Sequence, residues 1–154
     1  MHDSKRLGGL VLLGATVGAT LTTAYIHYTL GGLLFLLNAL GYLAFAAALV
    51  APLAFVQRLR PLVLLALAGY TGATIVGWAL MGPYFPLAYV TKAVEVVLLA
   101  LIAVQLLLAR ADIVPAFSFA RALGWQIVAI VVRRPAPVAS GSEDLAAAAE
   151  TPEA

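Results

Sequence analysis

The 154-residue chain is 64% hydrophobic and 10% charged, whereas soluble domains are about 45–50% apolar and about 25% charged. This balance excludes an ordinary soluble domain and predicts an integral membrane protein. The chain has no cysteine, which excludes disulfides, cysteine-based metal sites and thiol catalysis.

Four segments are long enough to cross a bilayer, which takes about 20 mostly apolar residues. They are residues 7–28, 33–56, 62–81 and 87–108. The basic pair Lys5-Arg6 precedes the first segment, as basic residues do in a signal peptide. However, the segment is longer than the apolar region of a signal peptide, and no A-x-A cleavage site follows it. We therefore interpret it as a retained helix and predict an all-α fold, a four-helix transmembrane bundle within residues 1–110.

Small residues and prolines give expectations about packing. Gly14 and Gly18 in the first span, and Gly69 and Gly77 in the third, permit close backbone approach. They predict packing of spans one and three, with homo-oligomerisation through one of these faces as the alternative.

Three prolines predict features of individual helices. Pro52 should kink the second span, Pro61 should lie at a helix start, and Pro86 should open the fourth span.

Positive charge predicts the orientation. Eight of the nine Lys and Arg residues lie at the N-terminus, between spans two and three, or after span four, while the other two loops carry no charge. Loops rich in Lys and Arg stay cytoplasmic. The pattern predicts a multi-pass protein with both termini in the cytoplasm.

The chain after span four divides into two parts. Residues 111–134 are basic and aromatic, and the apolar stretch 117–132 is short for a span, so we predict a short interfacial helix. Residues 135–154 are rich in Ala, Pro, Ser and Glu without a hydrophobic period, which predicts a disordered acidic tail.

The most informative residues are Lys92 and Glu95, the only charged residues between Arg60 and Arg110. Counting inward from the outer helix ends at about 1.5 Å per residue places a polar side chain from every span in one outer layer. The members of this layer are Lys92, Glu95, Asn38, Thr23, Thr74 and Tyr42, with Tyr42 nearest the midplane.

Two interpretations of this layer are open. It is either a structural lock of helix register or a site for a proton, ion or small polar ligand from outside. Lys92 could also extend away from Glu95 to the interface. His27 is expected to be an exposed interfacial histidine.

No other chemistry is indicated. One histidine within the spans cannot ligate a haem from both sides, and no His/Asp/Glu cluster has metal spacing. We find no nucleophile–base arrangement and no nucleic-acid signature, so we predict no enzyme activity, no cofactor, no metal site and no nucleic-acid partner.

Two segments carry a resemblance: Gly32-Leu-Leu-Phe-Leu-Leu-Asn38-Ala-Leu-Gly-Tyr42 and Tyr89-Val-Thr-Lys92-Ala-Val-Glu95. They resemble segments of small, uncharacterised four-helix membrane proteins of bacteria. The resemblance covers spans two to four and implies the bacterial inner membrane, with no activity to transfer.

The sequence thus predicts a small structural or accessory membrane protein. Its partners would be the lipid bilayer and either a second copy or a larger membrane complex. The alternative is a transporter or sensor that uses Lys92 and Glu95.

Overall fold

The computed structural model describes residues 2–82 and 84–132, and the regular structure in these residues is helical. The helices, in chain order, are α1 (His2–Leu30), α2 (Leu33–Val50), α3 (Ala54–Met81), α4 (Pro86–Leu108) and α5 (Arg110–Val132). All five are long and apolar enough to cross a membrane. The all-α prediction is confirmed and the chain has the helices of a membrane protein; the four-span count and the side of the termini stay predictions.

Residues 1–122 form one compact unit; the second unit begins at Leu123, and its described part is the end of α5. In the first unit, α1 packs against α2 and α4, and α3 packs against the same two helices. Short links join α1 to α2, α2 to α3 and α3 to α4, and because each of these pairs is in contact, its helices run antiparallel. Gly31 and Gly32 form the first link with φ of +70° and +84°, a backbone that glycine adopts without strain.

The bundle therefore has two ends, which we name by their residues. The uncharged end holds the links 31–32 and 82–85, without a charged residue. The arginine end holds the link 51–53 and the start of α3, with Arg58 and Arg60.

The core of the bundle combines apolar side chains with a polar stripe. Tyr42, Leu67 and Leu98 are fully buried. The polar stripe runs along α1 and consists of Thr16, Thr20, Thr23 and His27, all buried. Spacings of four, three and four residues put these side chains on one face of the helix.

Hydrogen bonds satisfy part of the stripe. The hydroxyls of Thr16 and Thr20 donate to carbonyls one turn earlier. Gln105 of α4 donates its amide to the Thr16 hydroxyl, so the stripe faces α4.

The predicted packing of spans one and three is wrong. Among the described residues, α1 and α3 make no mutual contact, and open space lies beside Gly14 and Gly18. Residues two apart point about 200° apart around a helix. Burial of the face of Thr16 and Thr20 therefore turns the glycine face outward.

Two of the three proline predictions are wrong. α2 ends at Val50, so Pro52 terminates the helix rather than kinking it, because the residue before a proline disfavours helical backbone. α3 starts at Ala54 and places Pro61 inside the helix, where its missing N–H leaves the carbonyl of Gln57 without its usual donor. Pro86 is the first residue of α4, which confirms the third prediction.

α5 is longer than the sequence predicted. It begins at Arg110 instead of residue 117 and has 23 residues, so it is long enough to cross a bilayer. Its interfacial position stays a prediction. The predicted tail, residues 135–154, lies outside the described residues.

Candidate functional site

Lys92 and Glu95 form an ion pair inside the bundle. The Lys92 Nζ lies 2.6 Å from the Glu95 Oε2, with the Glu95 side chain fully buried and that of Lys92 12% exposed. Lys92 also donates to the carbonyl of Thr74 at 3.3 Å. The ammonium is thus tied to both α4 and α3, and the alternative in which Lys92 extends away from Glu95 is wrong.

Tyr42 brings α2 to the same carboxylate. Its hydroxyl donates to the Glu95 Oε1 at 3.4 Å and lies 3.0 Å from the hydroxyl of Thr74. Thr74 in turn donates to the carbonyl of Thr71. Four of the six predicted site residues, Lys92, Glu95, Tyr42 and Thr74, therefore meet at one point.

Thr23 and Asn38 contribute less directly. The Thr23 hydroxyl is buried and has no hydrogen-bond partner among the described residues. Asn38 lies beside the pair rather than on it, and its Oδ1 accepts from the Tyr70 hydroxyl at 3.0 Å. Gly41 leaves room for this contact, since a Cβ there would overlap the Tyr70 ring.

His27 is a member of the site that the sequence placed wrongly. It is 3% exposed rather than exposed at the interface, and its Nε2 lies 3.7 Å from the Glu95 Oε1. The Nδ1 lies 2.9 Å from the carbonyl of Thr23, to which it donates. Since His27 continues the buried stripe of Thr16, Thr20 and Thr23, the spacing of that stripe was the signal that could have revealed it.

A cavity of about 380 Å³ opens beside the pair at the uncharged end. Its polar lining includes His27, Asn38, Tyr70, Thr74, Thr91 and Lys92. Its walls are aromatic and apolar, with Phe35, Trp78 and Phe85 among them. Small-ligand sites are typically apolar cavities with a few convergent polar groups, and this cavity has that character.

The cavity offers hydrogen-bond donors. An ammonium has three protons, and Lys92 directs two of them to Glu95 and the carbonyl of Thr74. The Tyr70 hydroxyl donates to the oxygens of Asn38. No described residue accepts a hydrogen bond from the Asn38 amide nitrogen. Donors from Lys92 and Asn38 are therefore available to a ligand with acceptor oxygens.

Other chemistry does not emerge from the described residues. They contain no group of three or more His, Asp or Glu side chains placed to hold a metal ion. No protein-family model, no curated protein and no solved structure matches the chain. The resemblance to bacterial four-helix proteins thus stays a prediction, and the geometry alone carries the functional argument.

Replacing Tyr42 by phenylalanine tests the hydrogen bonds at the carboxylate. We expect the free energy of unfolding to fall by about 1–3 kcal/mol, because a buried acceptor loses a donor. Reversible unfolding in mixed detergent micelles measures the change. Tyr25→Phe is the matched control, since Tyr25 is 68% exposed; equal losses in the two variants would contradict the assigned hydrogen bonds.

Proposed function

We propose that this chain is an integral membrane protein that binds a small amphipathic ligand in the cavity at its uncharged end, in a transport or sensing role. The observation that carries the proposal is the polar floor of that cavity. The ammonium of Lys92 and the amide nitrogen of Asn38 line the cavity instead of being sealed by packed side chains.

A purely structural pair accounts less well for this arrangement. Charge inside a membrane protein is costly, and a buried ion pair is often no more stable than well-packed apolar residues. A register lock needs the contact between Lys92 and Glu95 but gains nothing from a cavity of about 380 Å³ beside it.

The lining favours one class of ligand. Acceptor oxygens of a carboxylate or carbonyl head would meet the donors of Lys92 and Asn38. An apolar body would then lie along Phe35, Trp78 and Phe85. A ligand with an ammonium head would face Lys92 and is disfavoured.

The orientation is part of the proposal. The positive charges favour a cytoplasmic arginine end, which would open the cavity to the outside of a bacterial inner membrane. Four spans with both termini in the cytoplasm, and α5 at the interface, are the topology that this charge pattern favours.

The accessory-subunit role is the second candidate, and α5 favours it. Within α5 only Ala116 is buried, while Trp125 and Ile130 are 69% and 73% exposed. Purification in mild detergent, with mass spectrometry of co-eluting proteins, tests this role. A stoichiometric partner would support it, and a lone chain or oligomer would count against it.

Trp78 supplies a direct readout for the proposed ligand site. The chain has two tryptophans, so Trp125→Phe leaves Trp78, in the cavity wall, as the single tryptophan, whose emission can be excited selectively over that of tyrosine. We expect octanoate to change its fluorescence saturably, because the carboxylate meets Lys92 while the alkyl chain contacts the walls. Titration of the purified protein in a non-ionic detergent measures the affinity.

Octylamine is the control for head-group charge. It has the same chain and the opposite charge, so its binding should be weaker by about tenfold or more, the equivalent of one charge-assisted hydrogen bond. Equal responses to the two compounds would show that binding does not depend on the charge of the head group, and this result would contradict the proposal.

A further inference from the structure

A second cleft, separate from the ligand cavity, lies at the arginine end between the N-terminal parts of α3 and α5. Its volume is about 710 Å³. We call it the arginine cleft, and its lining includes Arg58, Arg60, Pro61, Asp112, Ala116 and Phe119. It shares no residue with the cavity at the uncharged end.

The charged groups of the cleft are not paired with one another. The ion pairs of the described residues all involve Glu95, so neither arginine binds the Asp112 carboxylate. The Nε of Arg60 is buried and has no hydrogen-bond partner among the described residues. A buried donor of a charged group is costly when it stays unpaired, so an acceptor that enters the cleft and pairs with this Nε would be stabilised there.

Arg58 is held in a suitable orientation. Its guanidinium carbon lies 5.5 Å from the centre of the Phe119 ring, a cation–π contact that uses the face of the group. The N–H groups at the edge of a guanidinium stay free in such a contact and fit the oxygens of a phosphate.

Apart from Gln57 and the charged residues Arg58, Arg60 and Asp112, the lining of the cleft is apolar. Pro61 and Ala116 are buried at its base, beside the ring of Phe119. A site with two arginines over an apolar base is suited to a phosphate that carries a hydrophobic group.

From these contacts we infer that Arg58 and Arg60 bind a phosphate group in the arginine cleft, supplied by a phospholipid headgroup. Charge-assisted hydrogen bonds from two guanidinium groups hold the phosphate. The apolar base contacts the glycerol and upper acyl chains. Asp112 accepts a hydrogen bond from a hydroxyl of the headgroup. The site therefore differs from the general attraction between basic residues and anionic lipid, which needs no cleft.

Binding of dioctanoyl phosphatidylglycerol to the delipidated full-length protein in non-ionic detergent tests the inference. We expect saturable binding, and no comparable binding of dioctanoylglycerol, which lacks the phosphate. Arg60→Gln should weaken binding by about tenfold or more, since it removes a charge-assisted bond. Arg121→Gln is the matched control, because Arg121 is exposed on α5 outside the cleft, and it should change the affinity by less than about twofold.

Two results would overturn the inference: equal losses in Arg60→Gln and Arg121→Gln, or equal binding of dioctanoylglycerol. Arg58→Gln gives a second variant that does not alter a buried group, because Arg58 is exposed, and it should also weaken binding. Competition with inorganic phosphate distinguishes a phospholipid from free phosphate as the source of the bound phosphate group. Failure to displace the lipid supports a phospholipid, whereas displacement at equal concentration overturns the lipid assignment in favour of free phosphate.

Discussion

Lys92→Met is expected to lower the free energy of unfolding by about 3–5 kcal/mol, because it leaves a buried carboxylate without its partner. Glu95 is fully buried, and the ammonium 2.6 Å away is its charged neighbour on α4. Glu95→Gln should cost less than Lys92→Met. The ammonium keeps the carbonyl of Thr74 as an acceptor, and its side chain is 12% exposed.

The double variant Lys92→Met/Glu95→Gln completes the test. It has no unpaired buried charge, so it should recover most of the stability that Lys92→Met loses. Reversible unfolding of the four proteins in mixed micelles gives the coupling energy of the double-mutant cycle. A double variant no more stable than Lys92→Met would show that the two side chains are not coupled and would contradict the ion pair.

The same double variant separates stability from function. If the pair is only a register lock, a folded double variant should bind octanoate as well as the wild type. If Lys92 contacts the head group, binding should weaken by about tenfold or more although the fold is intact.

The Lys92–Glu95 pair could be predicted because it depends on local geometry. Residues three apart lie on one face of a helix whatever surrounds it. The convergence of Tyr42 and Thr74 on the pair also follows from counting residues along helices of known rise. For Tyr42 and Thr74, the approximate position along the bundle axis could thus be predicted from the sequence.

The rotation of a helix about its own axis, which decides the face that is buried, is harder to predict from the sequence. The sequence predicted His27 at the interface, whereas its Nε2 lies 3.7 Å from the Glu95 Oε1, because the face of α1 that carries it is buried. Gly14 and Gly18 indicated one face, since small residues allow close approach. The buried face is instead that of Thr16, Thr20, Thr23 and His27. A small-residue motif permits contact, but a partner helix must be adjacent, and α4 is adjacent on the threonine side.

Helix ends near prolines were hard to predict for a related reason. Pro52 lies in an apolar stretch and Pro61 directly follows Arg60, and at either place a proline can kink a helix or end it. The backbone of Ala51 is extended, with φ of −56° and ψ of 126°, and α2 stops there. At Pro61 the helix continues, and the residue is buried, so packing supports this continuation.

Filling the ligand cavity should abolish octanoate binding without touching a polar residue. Gly77 lines the cavity, and open space lies beside it, so the ring of Gly77→Phe can enter the volume that the ligand needs. We expect the octanoate affinity to fall by about tenfold or more. The helix itself should tolerate the change, because phenylalanine has a better helix propensity than glycine.

Gly69→Phe is the matched control for this variant. Gly69 lies two turns earlier on α3, is exposed, has open space beside it, and is absent from the cavity lining. The same chemical change there adds the same apolar surface without entering the cavity, so octanoate should bind as tightly as to the wild type. Trp78 fluorescence in the Trp125→Phe background measures both affinities. Unchanged affinity in both variants would contradict the cavity site and indicate that octanoate partitions onto the apolar surface of α3, whereas a loss confined to Gly77→Phe would place the ligand against Trp78 and Lys92.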